Sequence, residues 1–168
     1  MTPWLSESIA DRHDLSRFSC GNETLDVWLR EQALRAHRAG VARTTVWVAG
    51  DDPTVVAYHA IAPTQLARVD LPSRSLSAGY SMLPGFLIGR LALDRSLHGQ
   101  GLGSELLVDA LARIVDAADL VGGRLIAVDA IDASAHRFYE HHDFLPIAGS
   151  SRLVMKLATA RAVLSAGR

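Results

Sequence analysis

The pattern of apolar and polar positions predicts an amphipathic helix in the first quarter of the chain. Over residues 22–39 apolar side chains recur every three or four positions, which is the spacing of one helix face. Asn22 is a favourable N-cap residue, and Gly40 is a favourable residue at the helix end. The opposite face and the residues just beyond it are basic, with Arg30, Arg35, His37, Arg38 and Arg43.

Two β-rich runs follow this helix, at residues 43–49 and 54–62. The intervening Gly50-Asp51-Asp52-Pro53 is typical of a turn, so the two runs are predicted to form a hairpin. Residues 63–84 show no clear period. We expect a long irregular excursion there, with one short helix or strand.

The second half alternates strand and helix patterns. Residues 85–94 form an almost continuous apolar run, typical of a strand covered on both faces. The later predicted elements are a helix at about 104–119, a strand at 125–128, a helix at about 132–142 and short strands at 144–148 and 152–157. This order predicts an α/β layer with a mixed sheet. We expect one domain over residues 1–168, with a loosely ordered tail after about residue 158.

Composition narrows the class of protein. The chain has 168 residues, of which 49% are hydrophobic and 21% are charged, so it can bury one substantial core and is not predicted to be disordered. No apolar run approaches the roughly 18 residues of a membrane span. The single cysteine, Cys20, excludes an intramolecular disulfide and a cysteine-based metal cage. Because the first residues also lack a secretion signal, we expect a cytoplasmic location.

The charge balance conceals an asymmetry. The net charge is −1, yet every basic residue except Lys156 is an arginine, whose planar fork suits phosphate. A genome rich in G and C is an equally simple explanation for that preference. A domain that binds nucleic acid through its overall charge is strongly basic, so any such contact here must come from a local patch.

A glycine-rich turn is the first candidate site. Gly99, Gly101 and Gly103 lie between a predicted buried strand and a predicted helix start, where several backbone N–H groups are exposed at the positive end of the helix dipole. This arrangement favours phosphate or pyrophosphate binding, although such glycines also serve merely to turn the chain. The spacing and position exclude a dinucleotide-binding fingerprint, and the absence of a lysine before Ser104 excludes a P-loop.

Together with residues 91–94 and 132–140, the segment 98–107 resembles the two main motifs of the GNAT N-acetyltransferases. The resemblance implies a mixed, mostly antiparallel sheet of about six to seven strands flanked by about four helices, with acetyl-CoA as the cosubstrate. Two residues depart from the family pattern. His98 stands where Arg or Gln is usual, which predicts weakened but not abolished CoA binding, and Asp143 replaces a glycine common before the Phe.

The resemblance also implies roles for individual residues. The backbone of residues 91–93 pairs with the pantetheine arm, and the amides of the glycine turn hold the pyrophosphate. The implied cofactor-binding residues are Leu91, Ala92, Leu93, His98, Gly99, Gln100, Gly101, Leu102, Gly103, Ser104, Asp132 and Phe138. Tyr139 matches the tyrosine that donates a proton to the departing thiolate. Its alternative role is an aromatic anchor for its own helix.

Segments 18–29, 56–60 and 87–94 resemble, more narrowly, the GNAT toxins of toxin–antitoxin pairs. This implies acetylation of the α-amino group of aminoacyl-tRNA, a ribbon-helix-helix antitoxin, contact with DNA only through the antitoxin complex, and a homodimer. The tRNA backbone contacts are expected from the local basic residues Arg30, Arg35, Arg38, Arg43 and Arg90, with Arg137 as a further candidate.

The chemistry agrees with that acceptor, and alternatives remain. An α-amino group titrates at about 7.7 to 8.0, so direct attack on a thioester needs no strong base, and backbone N–H groups near Leu91 to Leu93 can stabilise the oxyanion. One alternative acceptor is a small amine or a protein amino terminus. Another reading is a non-catalytic acyl-CoA-binding module. A route through acetylated Cys20 lacks histidine and acid partners in the sequence, and the spacing of the histidines predicts no metal site.

Overall fold

The computed structural model describes residues 3–167. The strands are β1 (Leu5–Ser8), β2 (Arg43–Val48), β3 (Ala57–Ala67), β4 (Met82–Leu93), β5 (Leu125–Asp129), β6 (Leu145–Pro146) and β7 (Arg152–Lys156). The α-helices are α1 (Glu23–Glu31), α2 (Ala33–Arg38), α3 (Leu102–Val121), α4 (Ala133–His141) and α5 (Leu157–Ala166).

The strands form one seven-stranded sheet in the order β1-β2-β3-β4-β5-β7-β6. The β4–β5 pair is parallel, and the pairs β1–β2, β2–β3, β5–β7 and β6–β7 are antiparallel. The prediction of a mixed, mostly antiparallel sheet of six to seven strands is therefore confirmed. The chain is organised as two compact units, the first comprising residues up to Ala62 with Arg90–Ala110 and the second comprising Pro63–Gly89 with the residues from Leu111 onward.

In the first unit, the predicted amino-terminal helix is divided in two. The Asn22 side chain accepts a hydrogen bond from the Leu25 N–H at 3.1 Å, which confirms the predicted N-cap. Gln32 leaves the helical conformation at φ −121°, so α1 ends there and α2 begins. The buried faces of both helices pack on β2 and β3, in a cluster that includes Leu25, Leu29, Ala33, Val46 and Tyr58.

The predicted hairpin is confirmed, since β2 and β3 pair from Arg43 opposite Ile61 to Trp47 opposite Ala57. The expected irregular excursion is shorter than predicted, because β3 continues to Ala67 and β4 already begins at Met82. Two short 3₁₀ turns, Arg68–Asp70 and Arg74–Ser77, occupy the middle of it. The four-residue strand β1 was not predicted.

In the second unit, β4 and β5 approach closely. A Cβ atom on Gly85 would lie 2.6 Å from the Leu125 carbonyl oxygen, so only glycine fits at this position of the strand. The tail expected to be loosely ordered instead forms α5. Leu157 and Ala160 are buried, the Leu157 N–H donates to the Arg124 carbonyl at 2.9 Å, and these contacts hold the helix in place. Within residues 3–167, no helix is both long enough and apolar enough to cross a membrane.

Candidate active site

The glycine turn has the backbone conformation that the sequence predicts. Gly99 and Gly101 both have φ +77°, a left-handed conformation that favours glycine, although a Cβ atom at either position would meet nothing within 4 Å. Leu102 then begins the 20-residue helix α3, with Gly103 in its first turn. The turn is exposed, so its amides and the helix N-terminus are accessible to an anion. Glycine at positions 99 and 101 is therefore favoured by backbone conformation and not by lack of space.

The Asp94 carboxylate fixes the chain just before this turn. One oxygen accepts from the Ser96 N–H at 3.1 Å and the Ser96 hydroxyl at 2.7 Å, and the other accepts from the Ser19 N–H at 3.0 Å. Burial acts to raise the pKa of Asp94, but the hydrogen bonds from Ser19 and Ser96 outweigh it and hold the pKa below its ordinary value. Asp94 thus ties the end of β4 to residues 18–22, two segments that the sequence analysis singled out separately.

The strand segment from Leu91 to Leu93 lies beyond the ladder that joins β4 to β5, since that pairing covers Gly85 to Ile88. The side chains of Leu91 and Leu93 pack with Trp47, Ala57 and Leu106, whereas Ala92 belongs to the cluster under α1. Both faces of the segment are covered by side chains. Because the β4–β5 pairing ends at Ile88, the backbone of Leu91 to Leu93 lies outside that ladder, as pairing with an extended pantetheine arm requires.

His98 is oriented differently from the phosphate donor we expected. Its Nε2 lies 2.7 Å from the Leu93 carbonyl oxygen, so Nε2 carries the hydrogen and donates it to the strand. The remaining ring atom, Nδ1, donates to a phosphate only when the ring is protonated. A role for His98 in CoA binding stays a prediction, and it now depends on the charge of the ring.

Tyr139 lies on α4 and is only 6% exposed. Its ring contacts Phe138 and Phe144 edge-on, with centroids 5.3 Å and 5.5 Å away. Burial, and to a smaller extent the nearby Asp129 charge, raise the pKa of Tyr139 above its ordinary value, so the phenol is neutral at physiological pH. Within residues 3–167 its hydroxyl makes no hydrogen bond. The hydroxyl is therefore available as a donor.

The flanks of α4 explain two other residues. The Asp132 carboxylate caps α4 by accepting a hydrogen bond from the Ala135 N–H at 2.8 Å. Helix capping therefore explains why an aspartate stands at this position. Phe138 is half-buried and contacts His142 at 4.7 Å between ring centroids. Asp143 has φ +70°, a conformation that glycine adopts at lower cost, which explains why this position tolerates the glycine common in the family.

The predicted tRNA-binding arginines occupy two kinds of environment, and all except the further candidate Arg137 lie in the first unit. Arg30, Arg35, Arg38 and Arg43 are exposed on α1, α2 and the start of β2. Arg30 donates to the Phe18 carbonyl at 3.4 Å, Arg43 donates to the His37 carbonyl at 3.2 Å, and Arg38 pairs with Asp11. Arg35 has no such contact among the described residues. Arg90 is half-buried instead, and Arg137 is exposed on α4.

The thiol of Cys20 is not an activated nucleophile. Burial, reinforced by Asp26, raises the pKa of Cys20 to about 11, so it is uncharged at neutral pH. Its sulfur donates to the Asn22 carbonyl at 3.5 Å. Across residues 3–167, no group of three or more His, Cys, Asp or Glu side chains is arranged to hold a metal ion.

Two arginines that the sequence analysis did not select join Arg30 around one cavity. Arg17 and Arg95 line an open cavity of about 440 Å³ together with Ser16, Phe18, Ser19, Gly21, Glu23, Asp26 and Arg30. The position of Arg95 immediately after Asp94, in a motif already noted, was the signal that could have drawn attention to it. The cavity brings the 16–21 segment, α1 and the end of β4 together.

Residues 42–146 match the family model described as an acetyltransferase (GNAT) domain. The chain belongs to the GNAT acetyltransferase family. A tRNA-acetylating toxin of Mycobacterium tuberculosis is 39% identical over 157 residues, which are 93% of this chain and 93% of that protein. A probable toxin, TacT of Sinorhizobium fredii, is 27% identical over 92% of this chain and 91% of its own length. The protein is thus an acetyl-CoA-dependent N-acetyltransferase, as the resemblance implied.

Solved structures of similar chains agree over nearly the whole length. A tyrosine-to-phenylalanine mutant of KacT matches with a TM-score of 0.91 at 28% identity, covering 96% of this chain and 99% of its own. AtaT complexed with acetyl-methionyl-tRNAfMet matches with a TM-score of 0.88 at 30% identity, covering 95% and 98%. An AtaT mutant bound to acetyl-CoA and the C-terminus of the antitoxin AtaR matches with a TM-score of 0.85 at 27% identity, covering 98% and 99%.

Proposed function

We propose that this N-acetyltransferase is a toxin that moves the acetyl group of acetyl-CoA to the α-amino group of an aminoacyl-tRNA and so blocks translation. The observation that carries the proposal is the 39% identity, over 93% of both chains, to a tRNA-acetylating toxin. The TM-score of 0.88 to AtaT, solved with acetyl-methionyl-tRNAfMet, supports the same acceptor class. An activity of this kind also suits the cytoplasmic location expected from the sequence.

The residues that would hold acetyl-CoA lie at the end of β4 and the start of α3. The amides from Gly99 to Ser104 would bind the pyrophosphate, because two left-handed glycines and the N-terminus of a long helix present N–H groups there. The backbone from Leu91 to Leu93 would pair with the pantetheine arm. Acetyl-CoA supplies the activated acetyl thioester, and no metal is needed for that chemistry.

Tyr139 would assist departure of the thiolate. Its raised pKa keeps the hydroxyl protonated, and the hydroxyl has no competing hydrogen bond among the described residues. A neutral hydroxyl donor stabilises the negative charge that develops on the leaving sulfur. The same shift makes Tyr139 a weaker acid than an exposed phenol, so we assign it first as a hydrogen-bond donor and then as the source of the proton.

The acceptor RNA would be held by the exposed arginines of α1, α2 and β2. An aminoacyl-tRNA carries its amine at the end of a phosphodiester chain. The four exposed arginines that could contact that chain lie within residues 30–43, on α1, α2 and the start of β2: Arg30, Arg35, Arg38 and Arg43. Several of these guanidiniums contact their own protein through one nitrogen only, which leaves other N–H groups for phosphate.

The partner would be an antitoxin encoded beside the toxin. The solved AtaT mutant carries the C-terminus of the antitoxin AtaR, and a KacTA complex with DNA matches this chain with a TM-score of 0.83 at 26% identity, covering 97% of this chain and 99% of its own. We propose a ribbon-helix-helix antitoxin, DNA contact through the antitoxin complex, and a homodimeric toxin. A short upstream reading frame for such a protein is the first observation to seek.

An acceptor panel tests the proposed function. Purified protein and radiolabelled acetyl-CoA are incubated with mixed aminoacyl-tRNAs, the same tRNAs after deacylation, spermidine and short peptides. We expect label on charged tRNA alone, released by mild base as the N-acetyl amino acid. Deacylated tRNA is the matched control because it keeps the phosphates and lacks the amine. A higher kcat/KM for spermidine or a peptide would contradict the proposal and favour the small-amine or protein acceptor.

A further inference from the structure

Arg90 is a half-buried cation without an anionic partner among the described residues. Its guanidinium carbon lies 4.3 Å from the centroid of the Trp28 ring, and its Nε is buried with no hydrogen-bond acceptor. Trp28 stacks in turn on Tyr58, with ring centroids 6.1 Å apart and planes 13° apart. The Tyr58 hydroxyl donates to the Leu25 carbonyl at 2.7 Å, which fixes the stack against α1.

This arrangement is costly unless a ligand completes it. A guanidinium does not lose its proton in a protein, so partial burial leaves a charge that requires hydrogen-bond acceptors. The Trp28 face offsets part of the cost, but it accepts no in-plane hydrogen bond. By contrast, Arg152 makes a two-pronged contact with Asp129 at 2.8 Å and 3.0 Å, and Arg161 contacts Asp119 at 2.7 Å.

The position of Arg90 along β4 relates it to the reaction centre of the proposed function. If acetyl-CoA binds as proposed, with its pyrophosphate at residues 99–104 and its arm running from Leu93 to Leu91, its thioester would lie toward Arg90. Side chains alternate along a strand, so Arg90 shares the face of Ala92, which packs in the cluster under α1. The charge of Arg90 would therefore lie beside the end of β4 at which the proposed thioester is bound.

We propose that Arg90 is a specificity-determining residue that binds a phosphate at the 3′ end of the aminoacyl-tRNA, next to the attacking amine. The planar fork of arginine matches a phosphodiester in two-pronged geometry. The same positive charge repels protonated polyamines and lysine side chains, which lack a compensating anion. This inference rests on the proposed function and deepens it, because it gives Arg90 a role distinct from that of the exposed arginines.

Arg90→Met and Arg90→Lys test the inference by the ratio of two acceptors, a charged tRNA and the amide of the same amino acid, which carries the amine without the phosphates. For Arg90→Met we expect kcat/KM for charged tRNA to fall about tenfold or more, while that for the amide stays within about twofold. Arg90→Lys keeps the positive charge but loses the planar guanidinium, so its kcat/KM for charged tRNA should lie between those of the natural protein and Arg90→Met. Arg161→Met, at an exposed arginine of the other unit, should leave both values unchanged.

The outcomes distinguish the role of Arg90 from the proposed function. The acetyl-CoA dissociation constant and Tm show whether each variant is folded, and Arg90→Lys serves if Arg90→Met is not. An equal loss on both acceptors, or no loss on either, overturns the role of Arg90 while the tRNA activity of the natural protein stands. Natural protein that acetylates the amide but no charged tRNA overturns the proposed function and the inference together.

Discussion

At the scale of single residues, Tyr139 is only 6% exposed, its hydroxyl makes no hydrogen bond among the described residues, and burial raises its pKa. These facts suit a donor whose acceptor arrives with the substrate. They also mean that removing the oxygen costs the free protein no hydrogen bond. An effect on catalysis can therefore be separated from an effect on stability.

Tyr139→Phe should lower kcat by about 10²- to 10⁴-fold, leave KM for acetyl-CoA unchanged and leave Tm unchanged or slightly higher. Since the raised pKa favours the neutral phenol, the natural enzyme should lose no activity through Tyr139 ionisation until the pH exceeds the ordinary phenol value of about 10. Steady-state kinetics over a pH series measure both expectations. Tyr80→Phe is the matched control, because Tyr80 is 68% exposed. If Tyr139→Phe has the same kcat as the natural enzyme, Tyr139 has no role in catalysis and serves only in packing.

At the scale of elements, the glycine turn and the start of α3 are the segments that we propose to bind the acetyl-CoA pyrophosphate. Gly101→Ala introduces no collision, but it places an alanine at φ +77°, at a cost of about 1 kcal/mol. We expect KM for acetyl-CoA to rise severalfold as the amides reorient, with kcat at saturation much less affected. Gly149→Ala is the matched control, since Gly149 has φ +73° and equally open surroundings. If both variants change KM alike, the glycine turn has no special role in binding.

The elements that sequence could predict are those with a strong apolar period or a local cap. The β2–β3 hairpin, α3 and α4 are of this kind, and Asn22 caps α1 as predicted. The strand β1 was not predicted because it has only four residues and is stabilised by pairing with β2, which is distant in sequence. Helix α5 was not predicted because the residues that hold it in place, Arg124 and Asp119, are distant from it in sequence.

In the candidate site, too, the features that sequence could predict are local, and the others depend on contacts between distant residues. Residue type and spacing sufficed for the glycine turn, because the left-handed conformation is a local property of Gly99 and Gly101. The direction of the His98 ring and the stacking of Arg90 on Trp28 depend on neighbours that only the folded chain brings together. Sequence therefore placed Arg90 with the exposed arginines, whereas its environment is of a different kind.

At the scale of the whole molecule, charge alone does not draw RNA to the protein. The net charge is −1, and the unit that carries the predicted tRNA-binding arginines has eight arginines against eleven acidic side chains. Long-range steering by net charge is thus absent, and attraction must come from local contacts within about a Debye length, which is about 8 Å at physiological salt. Such contacts release counterions and are sensitive to salt.

The double change Arg35→Glu with Arg38→Glu tests this local patch. We expect KM for charged tRNA to rise by an order of magnitude or more, with acetyl-CoA binding unchanged. The slope of log(kcat/KM) against log salt should become shallower by about one for each phosphate that the variant no longer neutralises. The control, Arg68→Glu with Arg74→Glu, alters net charge equally at two exposed arginines of the other unit. Steady-state kinetics with charged tRNA at several salt concentrations distinguish the two double variants. An equal loss of activity in both double variants would mean that net charge and not this patch governs the encounter with tRNA.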